Sequence, residues 1–144
     1  MRIRCTLVFL IATAALALAG KSQSLDDLKT RAEAAHPDEK AQLCVEIAER
    51  QVNNSDELFR KSDPDGAGAA LRDVVTYSQQ ARDAASVTGH KLKGTEISVR
   101  KMIHKLSDMK RQLSFDEQQP VQSTIDELEK VRTDLLNHMF KGGK

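Results

Sequence analysis

Hydrophobic residues recur at steps of three and four along four stretches of the chain, the spacing that places them on one face of an α-helix. Nowhere do β-branched residues alternate with polar ones over the length of a strand. The four stretches cover about residues 37–61, 67–88, 92–113 and 121–139. This pattern predicts an all-α protein with four amphipathic helices.

Helix-starting and helix-ending signals separate the four stretches. Pro37 stands where a helix tolerates proline, at its first position. A turn at Asp63–Gly66 precedes the second helix, and Gly89 is expected to cap the C-terminus of that helix. The segment Ser114–Pro120 is predicted to be the last connection. Within the first helix, the pair Asn53–Asn54 favours a bend or an early end, because asparagine is a poor helix former.

A short helix is also expected at Leu25–Ala35. Ser24 and Asp27 stand three residues apart, the spacing of a helix-capping pair. The predicted architecture is an antiparallel four-helix bundle or two stacked helical hairpins, with this short N-terminal helix added. A constant offset of 54 residues between the apolar positions of the second and fourth helices hints at a duplicated hairpin. The first and third helices do not keep that offset.

Residues 1–19 have the three parts of a secretory signal peptide. Arg2 and Arg4 form a positive start, an apolar run follows, and small residues precede Gly20. The apolar stretch of 15 residues is shorter than the ~20 that a membrane-spanning helix needs. We therefore expect cleavage near Ala19–Gly20, a periplasmic or secreted location, and no transmembrane helix in the mature chain. The expected division is 1–19 signal peptide, 20–36 N-terminal segment and 37–141 helical bundle domain.

Composition predicts a lean core held together without a disulfide. The whole chain is 40% apolar with a net charge of +1, and loss of Arg2 and Arg4 changes the charge to −1. A small net charge does not oppose collapse. Only Cys44 remains as a cysteine in the mature chain, where its apolar neighbours indicate a small buried side chain.

Catalytic and metal-binding motifs are not found in the sequence. No strained serine elbow, no phosphate-binding glycine loop and no dinucleotide fingerprint occurs, so neither an enzyme nor a cofactor is expected. Di-iron bundles use two Glu-x-x-His units, and this chain has one, Glu33 to His36. No metal site is therefore expected, and a helical-bundle metalloprotein is the weakest of the alternatives.

Charge distribution is the feature that points to a function. Residues 91–111 carry seven basic and two acidic side chains, a local charge of +5, whereas residues 112–129 carry −5 and residues 21–65 carry −4. Helical spacing places four basic-type residues on one line, which are Lys93, Arg100, His104 and Arg111. These residues, called the basic stripe below, are the candidate site for an anionic partner. In the alternative interpretation, the basic helix pairs with acidic residues of its neighbours inside the bundle.

The resulting hypothesis is an exported, non-enzymatic protein that binds or scaffolds in the cell envelope. Its partner would be another protein or a second copy, or else an anionic envelope component. Nucleic acid is not expected, because aromatic residues make up only 3% of the chain and the protein is expected to be exported. The alternative is a periplasmic chaperone-like or stress-response protein, which the alanine-rich core suggests.

Overall fold

The computed structural model describes residues 23–142, and every regular element in that part of the chain is an α-helix. The helices are α1 (Leu25–Ala34), α2 (Pro37–Arg60), α3 (Pro64–Thr88), α4 (Leu92–Lys110) and α5 (Phe115–Lys141). The all-α prediction is confirmed. Connections this short place successive helices side by side and antiparallel. The predicted signal peptide lies outside the described residues. No helix between residues 23 and 142 is long and apolar enough to cross a membrane.

Local capping determines where α1, α2 and α3 begin and end. The Ser24 side chain accepts a hydrogen bond from the Asp27 amide at 3.1 Å, and the Asp63 side chain accepts one from the Gly66 amide at 2.9 Å. Prolines occupy the first position of α2 and of α3. Gly89 ends α3 with a φ of 77°, in the left-handed region that glycine adopts without steric cost. The predicted helix starts at Leu25 and Pro37 and the predicted cap at Gly89 are confirmed. The predicted turn Asp63–Gly66 is instead the N-cap and first turn of α3, which begins at Pro64.

Replacing Gly89 with alanine should lower the free energy of unfolding by about 1 kcal/mol, because a Cβ is unfavourable in the left-handed region. Urea denaturation of the wild type and the variant measures this difference. Gly94→Ala is the matched control. A Cβ at Gly94, inside α4, would meet nothing within 4 Å, so alanine should stabilise the helix there by about 0.5–1 kcal/mol. Changes of the same sign in both variants would contradict this account.

The predicted last connection is wrong, because α5 begins at Phe115 rather than at Val121. The Ser114 amide donates to the Glu117 carboxylate at 3.3 Å, which forms one half of a capping box and starts the helix early. Pro120 lies inside the helix, close to its N-terminus. As the sixth residue of α5 it has no amide to donate to the Asp116 carbonyl, so the helix continues through Pro120 at the cost of that hydrogen bond.

The expected bend or end at Asn53–Asn54 does not occur, since α2 continues to Arg60. Asparagine disfavours helices when its side chain bonds to the neighbouring backbone. Here the Asn54 amide donates to the Gln51 side chain at 3.0 Å, and Asn53 accepts from Lys105 on α4. Both side chains thus bond to other side chains, and the backbone of α2 stays helical.

The helices form two hairpins. Gln51 of α2 donates to Asp73 of α3 at 2.7 Å, and Cys44 Sγ lies 3.9 Å from Gln80 Oε1. The partner's number on α3 falls as the number on α2 rises, so the two helices are antiparallel. The hydrogen bonds between α4 and α5 follow the same rule. One hairpin is therefore α2 with α3, and the other is α4 with α5.

These two hairpins are stacked side by side in the same orientation. Arg82 of α3 donates to Asp134 of α5 at 2.8 Å, and Lys105 of α4 donates to Asn53 of α2. Each of these pairs is separated by 52 residues in the sequence. Accordingly α3 runs parallel to α5, and α2 runs parallel to α4. Of the two predicted architectures, the contacts match the stacked hairpins. The contacting residues are separated by 52 positions in the sequence both between α3 and α5 and between α2 and α4.

Two apolar clusters hold the described helices together. The larger cluster fills the space between the hairpins, and its five alanines let the helices approach closely. It consists of Ala41, Ala48, Val52, Phe59, Ala67, Leu71, Val74, Ala84, Ala85, Leu92, Val99, Met102, Ile103, Leu106, Met109, Val121, Ile125, Leu128, Val131 and Leu135. The smaller cluster attaches α1 to α2 and α3, and it consists of Leu28, Ala32, Leu43, Cys44, Ile47 and Ala81. At its edge, Lys29 of α1 donates to Asp73 of α3 at 2.8 Å. The short N-terminal helix is thus packed onto the first hairpin.

Candidate functional site

The four residues of the basic stripe lie on the exposed face of α4 and its C-terminal cap. Lys93, Arg100, His104 and Arg111 are all exposed. The stripe runs along the helix axis for about 27 Å, taking 1.5 Å for each residue. The opposite face of α4 is buried in the larger cluster. The structure therefore brings the four predicted residues onto one surface.

Two members of the stripe form ion pairs, and both partners come from the same helix. Arg100 Nε lies 3.6 Å from Glu96 Oε1, one helical turn away. Arg111 pairs with Asp108, also one turn away. Between residues 23 and 142, Lys93 and His104 form no ion pair. Arg111 and Asp108 are both exposed, and a pair of this kind contributes about 0–1 kcal/mol, so it holds Arg111 weakly.

Ion pairs between helices do occur, but the basic residues of α4 take no part in them within the described chain. Lys29 pairs with Asp73 at 2.8 Å, and Arg82 pairs with Asp134 at the same distance. The acidic segment 112–129 forms its pairs within α5. Pairing of the basic helix with its acidic neighbours, as the alternative interpretation requires, is therefore not seen among these residues.

One acidic residue of α4 is buried, and it faces α5. Glu96 accepts from Arg132 Nε at 2.9 Å, and its side chain is 9% exposed. The hydrogen bond with Glu96 raises the pKa of Arg132 above its ordinary value. Glu96 therefore pairs with Arg132 of α5 as well as with Arg100 of α4. Because its one negative charge is shared between two arginines, it offsets less of the positive charge on the α4 surface.

A groove beside the stripe was not predicted from the sequence. It consists of two depressions along α2 and α4, of about 420 Å³ and 230 Å³. The first is lined by Gln42, Val45, His90, Lys91, Gly94, Thr95 and Ser98, and the second by Glu49, Val52, Asn53, Lys101, Met102 and Lys105. We call it the α2–α4 groove. The spacing of apolar residues shows that Lys101 and Lys105 are exposed, but not which helix lies beside them.

Cys44 is buried, as the sequence predicts. Burial raises the pKa of its thiol from 9.0 to about 11. A thiol that stays protonated at neutral pH is a poor nucleophile and a poor metal ligand. This cysteine therefore serves the packing of the smaller cluster.

The Glu-x-x-His unit is exposed. Glu33 lies near the end of α1, and His36 precedes the first residue of α2. In residues 23–142, no group of three or more His, Cys, Asp or Glu side chains is placed to hold a metal ion. Neither residue takes part in the basic surface.

The geometry thus brings together a line of exposed basic residues and a groove with lysines on one wall. Comparisons with protein-family models, with curated proteins and with solved structures find no match.

Proposed function

We propose that the chain is an exported, non-enzymatic binding protein of the cell envelope, which takes an anionic partner on the basic stripe of α4. One observation carries this proposal. Five basic residues of α4 and its C-terminal cap are exposed, and within the described chain none of them pairs with an acidic residue of another helix; they are Lys93, Arg100, Lys101, Lys105 and Arg111.

A cluster of like charges repels itself, so it lowers stability unless something offsets it. In this fold the offset within α4 comes from Glu96 and Asp108, which leaves a local charge of +5 over residues 91–111. Such a surface attracts anions and speeds their association. An incoming carboxylate or phosphate can replace the weak pair of Arg111 with Asp108.

Export is supported by the sequence of residues 1–19, which have the parts of a signal peptide. The partner is then an anionic component of the envelope, a protein first of all, and nucleic acid is not expected. The absence of catalytic motifs from the sequence and the buried, protonated thiol of Cys44 support a role in binding rather than catalysis.

The chaperone-like alternative receives less support from the surface. A holding chaperone needs an exposed apolar area for its clients. Among residues 23–142 the large apolar side chains that are strongly exposed are Val87, Phe115 and Phe140. Phe115 and Phe140 stand at opposite ends of α5, about 37 Å apart at 1.5 Å for each residue, so they do not form one patch.

Changing Lys93, Arg100 and Arg111 together to glutamine should weaken binding to an anionic probe about tenfold or more, because the steering charge is lost. Two probes cover the two kinds of partner: polyglutamate, and vesicles of phosphatidylglycerol with phosphatidylcholine. Binding isotherms at low and at physiological salt give the affinities. Circular dichroism and the melting temperature should stay close to those of the wild type.

The matched control removes three charges elsewhere. Arg60, Lys61 and Arg72 are exposed, and Arg60 pairs with Asp56 one turn away as Arg100 does with Glu96. Their change to glutamine lowers the net charge equally and should alter binding less than about twofold. Equal losses in both triple variants, or a lower melting temperature without a binding loss in the stripe variant, would overturn the proposal.

A further inference from the structure

The two depressions of the α2–α4 groove follow one another along the same pair of helices. On α2 its lining passes from Gln42 and Val45 to the next turns at Glu49 and Asn53, and on α4 it proceeds in the same direction. Since the two helices are parallel, both walls advance together. Lys105 donates to Asn53 between α4 and α2, at the end of the second depression.

Its dimensions fit an extended peptide. From Lys91, the N-cap of α4, to Lys105 the lining extends about 21 Å at 1.5 Å for each helical residue, which is the length of about six residues of extended chain at about 3.3 Å each. Gly94 has no side chain, so it leaves open space on the α4 side of the groove.

The chemistry of the lining selects an acidic peptide. Lys91, Lys101 and Lys105 contribute three positive charges to the lining, against the one carboxylate of Glu49. The basic stripe continues this charge on the adjacent surface. The side chains of Gln42 and Ser98 offer hydrogen-bonding groups for a peptide backbone.

The floor of the groove adds an apolar element. Val52 and Met102 lie at the floor and are almost completely buried, with 1% and 3% of their surface exposed. An apolar side chain of a peptide can reach this floor between the flanking lysines. A flat membrane surface contacts protruding residues such as Lys93 and Arg100, and it does not enter a channel between two helices.

We infer that the α2–α4 groove binds an extended acidic segment of a partner protein, about six residues long, with an apolar residue among its carboxylates. The inference rests on the proposed function and narrows the anionic partner to a peptide. It assigns roles to Lys101, Lys105 and Gly94, which lie outside the basic stripe.

A labelled hexapeptide of alternating glutamate and leucine is the probe, with fluorescence polarisation as the measurement. Gly94→Leu should fill the groove and weaken binding at least about tenfold, while all basic residues remain in place. Lys101→Gln with Lys105→Gln should cause a similar loss. Gly68→Leu is the matched control, since Gly68 is also a helical glycine but lies on α3, and it should change the affinity less than about twofold. Melting temperatures of all variants show that each remains folded.

The outcomes separate this inference from the proposed function. If Gly94→Leu leaves peptide affinity unchanged while the stripe variant loses it, the groove inference is wrong and the proposed function stands. If the wild type binds phosphatidylglycerol vesicles and not the peptide, the partner is a lipid surface and the groove inference is again wrong. If the wild type binds none of the three probes, which are the peptide, polyglutamate and the vesicles, the groove inference and the proposed function are both wrong.

Discussion

Replacing Leu135 with alanine should lower the free energy of unfolding by about 3–4 kcal/mol, the middle of the range for fully buried leucines. Leu135 has no exposed surface and lies in the larger cluster between the hairpins. The substitution removes buried apolar atoms and leaves a cavity in the cluster, because a packed core relaxes only in part around a smaller side chain. Urea denaturation followed by circular dichroism measures the loss.

The next residue along α5 provides the control. Leu136 carries the same side chain in the same helix but is only partly buried. Its change to alanine removes the same atoms at equal helix propensity, and it should cost about 1 kcal/mol or less. A result in which both variants lose the same stability would show that the larger cluster is not the main support of the stacked hairpins.

Alkaline pH should destabilise the protein, and Cys44 should cause the first part of the loss. In the unfolded chain this thiol ionises near its ordinary pKa of 9.0, whereas burial raises the pKa in the folded chain to about 11. Between these values the unfolded state binds fewer protons than the folded state, so stability falls as pH rises. The contribution of the thiol to stability is fully present below about pH 9. The loss reaches about 2 kcal/mol at pH 11 and its limit of about 3 kcal/mol above that, since one pKa unit corresponds to about 1.4 kcal/mol.

The pKa values of two neighbouring groups, Lys29 and Tyr77, are also raised. The hydrogen bond to Asp73 raises the pKa of Lys29, and burial raises the pKa of Tyr77. Both therefore add to the alkaline loss, but their ordinary pKa values are higher, so they act at higher pH than the thiol. Cys44→Ala should flatten the stability curve between pH 9 and 10 and leave the later fall in place. An unchanged curve in that variant would contradict the assigned role of the thiol.

Helix boundaries were predictable where a single residue enforces them. Pro37, Asp63 and Gly89 act through backbone geometry or a hydrogen bond within one turn, and the structure places the helix ends at these residues. The start of α5 was mispredicted because two local signals compete. The capping box at Ser114 begins a helix, whereas Pro120 disfavours one, and in the structure the helix starts at the cap and continues through the proline.

The arrangement of the hairpins was less accessible from the sequence. An apolar face shows that a helix is buried, but it does not identify the helix on which it packs. The offset of 54 residues between the second and fourth helices was a real signal of the parallel pair α3 and α5. The equivalent relation between α2 and α4 was hidden, because one contact there is the polar pair Asn53–Lys105.

The candidate site divides in the same way. Exposure of Lys93, Arg100, His104 and Arg111 follows from helical spacing alone, and the structure shows all four at the surface. The α2–α4 groove depends on two helices about 50 residues apart in sequence, so no local pattern reveals it. The sequence shows Lys101 and Lys105 as part of the basic segment 91–111, but only the structure shows that they lie beside α2.

The parallel stacking of the hairpins also has a consequence for the order of folding. Each hairpin closes through a connection of a few residues, so its contacts are local and cost little chain entropy. Contacts between hairpins, such as Arg82 with Asp134, join residues 52 positions apart. Local contacts form faster than distant ones. We therefore expect two helical hairpins to form first and to dock afterwards, with the docking step determining the rate at which the native state appears.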